Sequence, residues 1–256
     1  MGMAMIEVQH LSRQFKLKGK GKRTITAVSE INFTVAEGEL FGFLGPNGAG
    51  KSTTIAMLTT LLLPTSGQAS VAGYDVITQR DAVRKHIGII FQDSTLDIKL
   101  TAAENLHFHG VLYGLGKVER QKRIDELLAM VELSDRAHTE VKQFSGGMKR
   151  RLEIARGLMH FPKVLFLDEP TLGLDPQTRE HIWKYIQRVR QERHMTIFMT
   201  THYLDEVEDC DRVSIIDEGK IVALDTPVNL KQHYQASTMN QVFLEATGHN
   251  IRRDEL

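Results

Sequence analysis

The chain has 256 residues, 41% hydrophobic and 25% charged, enough for one large globular domain or two small ones. Lys and Arg total 32, as do Asp and Glu, and this zero balance speaks against a protein that coats nucleic acid, whose usual footprint is basic. The single cysteine, Cys210, excludes an internal disulfide framework and suits a reducing compartment, and no apolar run approaches the roughly 18 residues that span a bilayer.

In chain order, MGMAMIEVQHLSRQF lacks the basic region and long apolar core of a signal peptide. Ile6 stands where a myristoylation motif needs Ser or Thr. IEVQHL and ITAVSEINFTV mix apolar and polar residues, as half-exposed antiparallel strands do, and the charged KLKGKGKR between them reads as a hairpin tip. ELFGFLG, IGIIF, KVLFLDE and TIFMTT are near-continuous apolar runs, expected of parallel strands buried on both faces. Helical patterns lie between them at 51–62, 102–113, 117–131, 145–160 and 176–193. This alternation predicts an α/β fold with a mainly parallel sheet. Residues 94–160 show helices and no convincing strand, and read as a helical subdomain inserted into a sheet domain of 1–93 and 161–225. RVSIIDEGKIVALDTP reads as a hairpin turning at Glu218 and Gly219, and 226–256 as a helical tail. The terminal RDEL resembles an ER-retention tag, which is empty without an entry signal.

Gly45-Pro46-Asn47-Gly48-Ala49-Gly50-Lys51-Ser52 satisfies G-x-x-x-x-G-K-[ST], after a buried strand and at the head of a helix. Gly48 and Gly50 let the backbone curl so that successive N–H groups point inward at an anion. The helix opening near Lys51 adds its unpaired amides and positive dipole end. In this motif Lys51 neutralises β- and γ-phosphate oxygens, and Ser52 places its hydroxyl on magnesium with Thr53 beside it. VLFLDEP then drives a strand into Asp168 and Glu169, at the carboxyl end where α/β sheets bind ligands. Asp168 is placed to hold magnesium through water, and Glu169 to polarise an attacking water as general base. Asp175, before Pro176, is explained by helix capping, by function, or by both. FSGGMKRRLEIARGL puts Ser145, Gly146 and Gly147 at the head of an amphipathic helix. Lys149, Arg150 and Arg151 in its first turn oppose the dipole unless an anion docks there, or they are solvated side chains pointing sideways.

With these pieces in this order, the chain resembles the ATP-binding-cassette (ABC) ATPases over nearly its whole length. Residues 45–52 look like the Walker A loop, VLFLDE like Walker B, FSGGM like the cassette signature and GLDP, with Asp175, like the D-loop. Gln92 is similar to the Q-loop glutamine, His202 to the switch histidine and Phe15 to the adenine-stacking aromatic. ENLHFHGVLYGL, GLMHFPKVLFLDEPTLGLDPQTR and NQVFLEATG resemble the drug-resistance, polysaccharide and lipid exporter branch, whose ATPase is a polypeptide separate from its membrane permease. The signature departs from the family pattern at both ends: Phe144 stands where leucine is usual and Met148 where glutamine is usual.

The resemblance implies ATP and Mg²⁺ as cofactors and a head-to-tail homodimer. Each ATP would lie between residues 45–52 of one subunit and Ser145, Gly146 and Gly147 of the other. Asp168, Ser52 and Gln92 would serve the metal, His202 would contact the γ-phosphate, and Gln92 would couple hydrolysis to a permease docked around residues 93–104. It implies a cytoplasmic protein held on the inner membrane face by that permease, with no nucleic-acid partner. An ABC-type ATPase that controls assembly of a membrane complex without transport would carry the same local motifs.

Overall fold

A computed structural model describes residues 4–16 and 24–248. Residues 17–23 of the KLKGKGKR loop and the terminal RDEL lie outside the described residues. The elements run β1 (Ala4–Lys16), β2 (Thr24–Ala36), β3 (Leu40–Leu44), α1 (Lys51–Leu58), β4 (Ser66–Val71), β5 (Tyr74–Asp75), α2 (Arg80–His86), β6 (Ile87–Ile90) and α3 (Ala102–Leu112). They continue with α4 (Lys117–Met130), α5 (Gly146–Gly157), β7 (Val164–Asp168), α6 (Pro176–Arg193), β8 (Thr196–Thr201), β9 (Arg212–Asp217), β10 (Lys220–Asp225), α7 (Pro227–His233) and α8 (Met239–Thr247). The chain divides into two compact units, one holding residues up to Arg84 and from Thr196 onward, the other Lys85–Met195. The second unit is wider than the 94–160 stretch singled out by its helical pattern, because β6 and β7 pair with each other inside it.

In the first unit, β3 pairs in parallel with both β8 and β9, and β10 turns back antiparallel on β9. Every residue of β3 and β8 is buried, which accounts for the near-continuous apolar runs LFGFL and TIFMTT. Phe33, Phe41, Phe43 and Phe198 stack or tilt against one another with centroids 5.4–5.9 Å apart, the spacing aromatic pairs prefer. A second, antiparallel sheet has the order β2-β1-β4-β5. The pattern of α1 extends to residue 62, yet the helix stops at Leu58. Thr60 adopts φ 65°, which no α-helix accommodates, and its hydroxyl accepts a hydrogen bond from Arg84 Nε at 2.8 Å.

In the second unit, β6 and β7 run parallel with α3–α6 for company. A capping box starts α3: the Thr101 hydroxyl accepts from Glu104 N at 3.2 Å, and the Glu104 carboxylate accepts from Thr101 N at 2.8 Å. Tyr113 at the end of α3 stacks on His160 with centroids 3.7 Å apart, and His109 lies 4.9 Å from Tyr113. Burial lowers the His109 pKa to about 4, helped by the Arg156 charge and by His160. Burial also lowers His160 to about 4, although its Nε2 meets the Ile87 carbonyl at 2.8 Å.

Both values lie below the ordinary 6.5, so the rings fold neutral. The stability tied to that neutrality is complete above about pH 6.5 and drains away as pH falls through about 4, because the unfolded chain takes up protons the native state refuses. The thermal midpoint is therefore expected to drop between those pH values, and His109→Gln to flatten the drop. An unchanged slope in that variant, read by scanning calorimetry, would remove His109 from the account.

Candidate functional site

The first unit carries the phosphate loop. β3 ends at Leu44, residues 45–50 turn, and α1 opens at Lys51 with no acidic residue in its first turn to offset the positive dipole end. Gly50 has φ 109°, and a Cβ there would stand 2.5 Å from the Ala27 carbonyl, so only glycine fits. Gly48 also has φ above zero, at 82°. Lys51 is buried and its ammonium donates to the Gly45 carbonyl at 2.7 Å and the Pro46 carbonyl at 3.3 Å, which holds the cation in the curve of the loop. The far hairpin braces this curve: Gly219 N donates to Ala49 O at 3.0 Å, and Ser29 N to Gly219 O at 2.8 Å. Asn47 and Ser52 are exposed and Thr53 is half-buried.

Two further residues stand in this unit. His202 follows the last residue of β8 and is buried. Its neighbour Thr201 shapes the turn, donating to Glu206 Oε2 at 2.6 Å and accepting from Tyr203 N at 2.9 Å. Phe15 on β1 leaves a third of its surface exposed, and the Arg13 guanidinium sits 4.7 Å from its ring centroid, a cation–π contact.

The second unit carries the carboxylates. β7 ends at Asp168, and Asp168 and Glu169 are both buried. Glu169 has φ 48°, the left-handed region that a non-glycine residue occupies at a cost. Gln92, two residues after β6, is exposed. Ser145 caps α5 by accepting from Met148 N at 3.3 Å, and Gly146 is exposed. A Cβ on Gly147 would stand 2.6 Å from the Thr178 methyl on α6, so the second glycine of this pair is demanded by close packing. Phe144 is buried, filling core space where the family pattern has leucine. Met148 lines a shallow cavity of about 190 Å³ with Ser145, Arg151 and His181.

Asp175 caps α6: its carboxylate accepts from Thr178 Oγ1 at 2.6 Å and Thr178 N at 3.0 Å, and these bonds hold its pKa below the usual carboxylate range. The cations of the first turn of α5 do not all point to solvent. Arg151 donates to the Val131 carbonyl at 3.0 Å, and Arg150 is buried with its guanidinium on the carbonyls that follow β6 and β7. From the sequence alone Arg150 is either an anion-serving cation or a solvated side chain. The signal was available in Arg150 and Glu153, an opposite-charge pair three residues apart among Leu152, Ile154 and Ala155.

A nucleotide suits this chemistry. Anion-seeking amides, a helix N-terminus and a buried ammonium at 45–52 match phosphates, and the buried Asp168 carboxylate matches a hard cation. Among the described residues no three or more His, Cys, Asp or Glu cluster as a self-sufficient metal cage. A magnesium ion that travels with nucleotide needs only one or two protein ligands. The fold and the loop together define a P-loop nucleoside triphosphatase.

The ABC transporter family profile matches residues 28–172. The linearmycin resistance ATP-binding protein LnrL of Bacillus subtilis is 45% identical over 226 residues, 88% of this chain and 72% of that protein. The daunorubicin resistance ATP-binding protein DrrA3 of Streptomyces coeruleorubidus is 41% identical over 221 residues, 86% of this chain and 70% of that one. The probable multidrug ABC transporter ATP-binding protein YbhF of Escherichia coli is 40% identical over 95% of this chain, which spans 42% of YbhF. An ATP-binding cassette solved as a dimer in a post-hydrolysis state with ADP and Pi superposes with TM-score 0.78 at 28% identity, covering 87% of this chain and 98% of that one. The chain belongs to the ATP-binding cassettes of ABC transporters, and its activity is ATP hydrolysis.

Proposed function

We propose that this cassette energises export of an amphipathic, drug-like compound through a separate membrane permease. The observation that carries the reading is the 45% identity to a drug-resistance ATP-binding protein across 88% of the chain. Among the described residues no helix is long and apolar enough to cross a membrane. The cassette would then work from the cytoplasmic face, bound to that permease.

In this reading the amides of residues 45–52 and the Lys51 ammonium bind the β- and γ-phosphates and neutralise their charge, and Phe15 stacks on the base. Ser52 and Asp168, with Gln92, are the residues that would hold Mg²⁺, which when bound would neutralise charge developing on the phosphate oxygens. Glu169 takes the proton from the attacking water, and His202 donates toward the γ-phosphate. Ser145, Gly146, Gly147 and the amide end of α5 serve the nucleotide of a second, identical subunit, with Asp175 at the same interface. ATP therefore closes the pair and hydrolysis reopens it.

The experiment is a pull-down from membranes followed by reconstitution. We expect one integral membrane protein to co-purify with the chain, and inverted vesicles holding both to accumulate daunorubicin only with ATP. Stable association with ATP hydrolysis and no movement of any drug tested would favour the control of complex assembly instead.

A further inference from the structure

Helix α5 holds both catalytic segments of its unit through one face. Arg150 donates from Nε to the Pro170 carbonyl at 2.5 Å and from Nη2 to the Glu169 carbonyl at 3.2 Å and the Asp168 carbonyl at 3.4 Å. Its Nη1 reaches the Phe91 carbonyl at 2.6 Å and the Glu153 carboxylate at 3.1 Å. One turn on, the other Glu153 oxygen accepts from Thr95 N at 3.1 Å. A turn further, Arg156 donates to the Thr95 carbonyl at 2.6 Å and to the Thr95 hydroxyl. Residues 91–95, which include Gln92, are thus pinned at both ends by side chains at 150, 153 and 156.

Arg150 and Glu153 are both more than nine-tenths buried. Removing two charges from water is unfavourable unless the interior returns enough hydrogen bonds. Here the guanidinium receives four backbone carbonyls and a carboxylate. Three of those carbonyls are consecutive, on Asp168, Glu169 and Pro170, so the peptide planes on both sides of the Glu169 Cα are fixed. Glu169 is the residue held at φ 48°. A left-handed non-glycine residue persists only where its surroundings over-determine it, and Arg150 supplies that constraint.

We infer that Arg150 is the positioning residue for ATP hydrolysis: it locks the left-handed backbone of Glu169, and so aims that carboxylate, while tying the segment before Gln92 to the signature helix. Lysine cannot replace it, since a single ammonium lacks the planar fork that reaches carbonyls at two strand ends at once. The inference rests on Glu169 as general base. It does not touch residues 45–52, which bind the phosphates.

The test is Arg150→Lys in the full chain, alone and combined with Glu169→Gln. Arg150→Lys is expected to keep ATP affinity within about threefold while kcat falls about tenfold or more, the pattern of an interaction realised in the transition state. The double variant is expected to be no slower than Glu169→Gln alone, because a group that acts by aiming a carboxylate has nothing left to aim. A wild-type kcat in Arg150→Lys, or an additive loss in the double variant, would overturn the inference while leaving the general base intact. Glu169→Gln at the wild-type rate would overturn the general base and this inference with it. Should Arg150→Lys not fold, Glu153→Gln carries the test with the same non-additivity expected, and a wild-type kcat there overturns the inference.

Discussion

Glu169→Gln is expected to bind ATP as tightly as the native chain, hydrolyse it at least about a hundredfold more slowly, and accumulate as a dimer. A positioned general base contributes about 10²–10⁴ in rate, and the amide keeps the shape of the carboxylate while losing its basicity. In the proposed reading residues 45–52 hold the phosphates and Glu169 does not, so affinity and chemistry separate. The backbone of Glu169 is held by the Arg150 bonds to its own and adjacent carbonyls, and these do not depend on the side chain that changes. Single-turnover hydrolysis and light scattering with ATP read both expectations. Turnover at the native rate would show that another group takes the proton.

Lys51→Ala is expected to abolish measurable ATP binding in a calorimetric titration. The phosphates bring several negative charges into a curve of the chain whose only buried cation is contributed by Lys51, among residues 45–52. Charge-assisted bonds to phosphate are about twice as strong as neutral ones. In the native loop the ammonium meets two carbonyls, Gly45 and Pro46, which alanine leaves without that donor. The same change therefore loosens the loop and removes its charge. Unchanged affinity would contradict the assignment of 45–52 as the phosphate cradle.

Much of this was legible from residues alone because its physics is local. LFGFL, VLFLD and TIFMTT read as buried parallel strands since apolar residues run nearly continuously through them, and each is wholly buried. Ser145 and Asp175 stand before helices because their oxygens accept the first free amides, and each does so. Elements held by partners far along the chain were not legible. SGQASV has no strand pattern of its own, and β4 exists because Ile6 to Gln9 on β1 pair with Gln68 to Val71. RDAVRKH buries only Val83, too little for a periodic signal. Within the candidate site the loop, the carboxylates and the glycine pair could be found by motif. The task of Arg150 could not, because its partners Phe91 and Asp168–Pro170 come from two separate strand ends. The pairing of subunits, the base-stacking role of Phe15 and the membrane partner came only from family likeness.

The bond from Gly219 to Ala49 also sets a timetable. A nascent chain emits the glycine motif early, yet the turn that props it leaves the ribosome much later. At ordinary synthesis rates that delay is on the order of ten seconds or more. During that interval the newborn loop lacks its brace, so nucleotide captured before the final hairpin arrives would meet an unfinished binding surface.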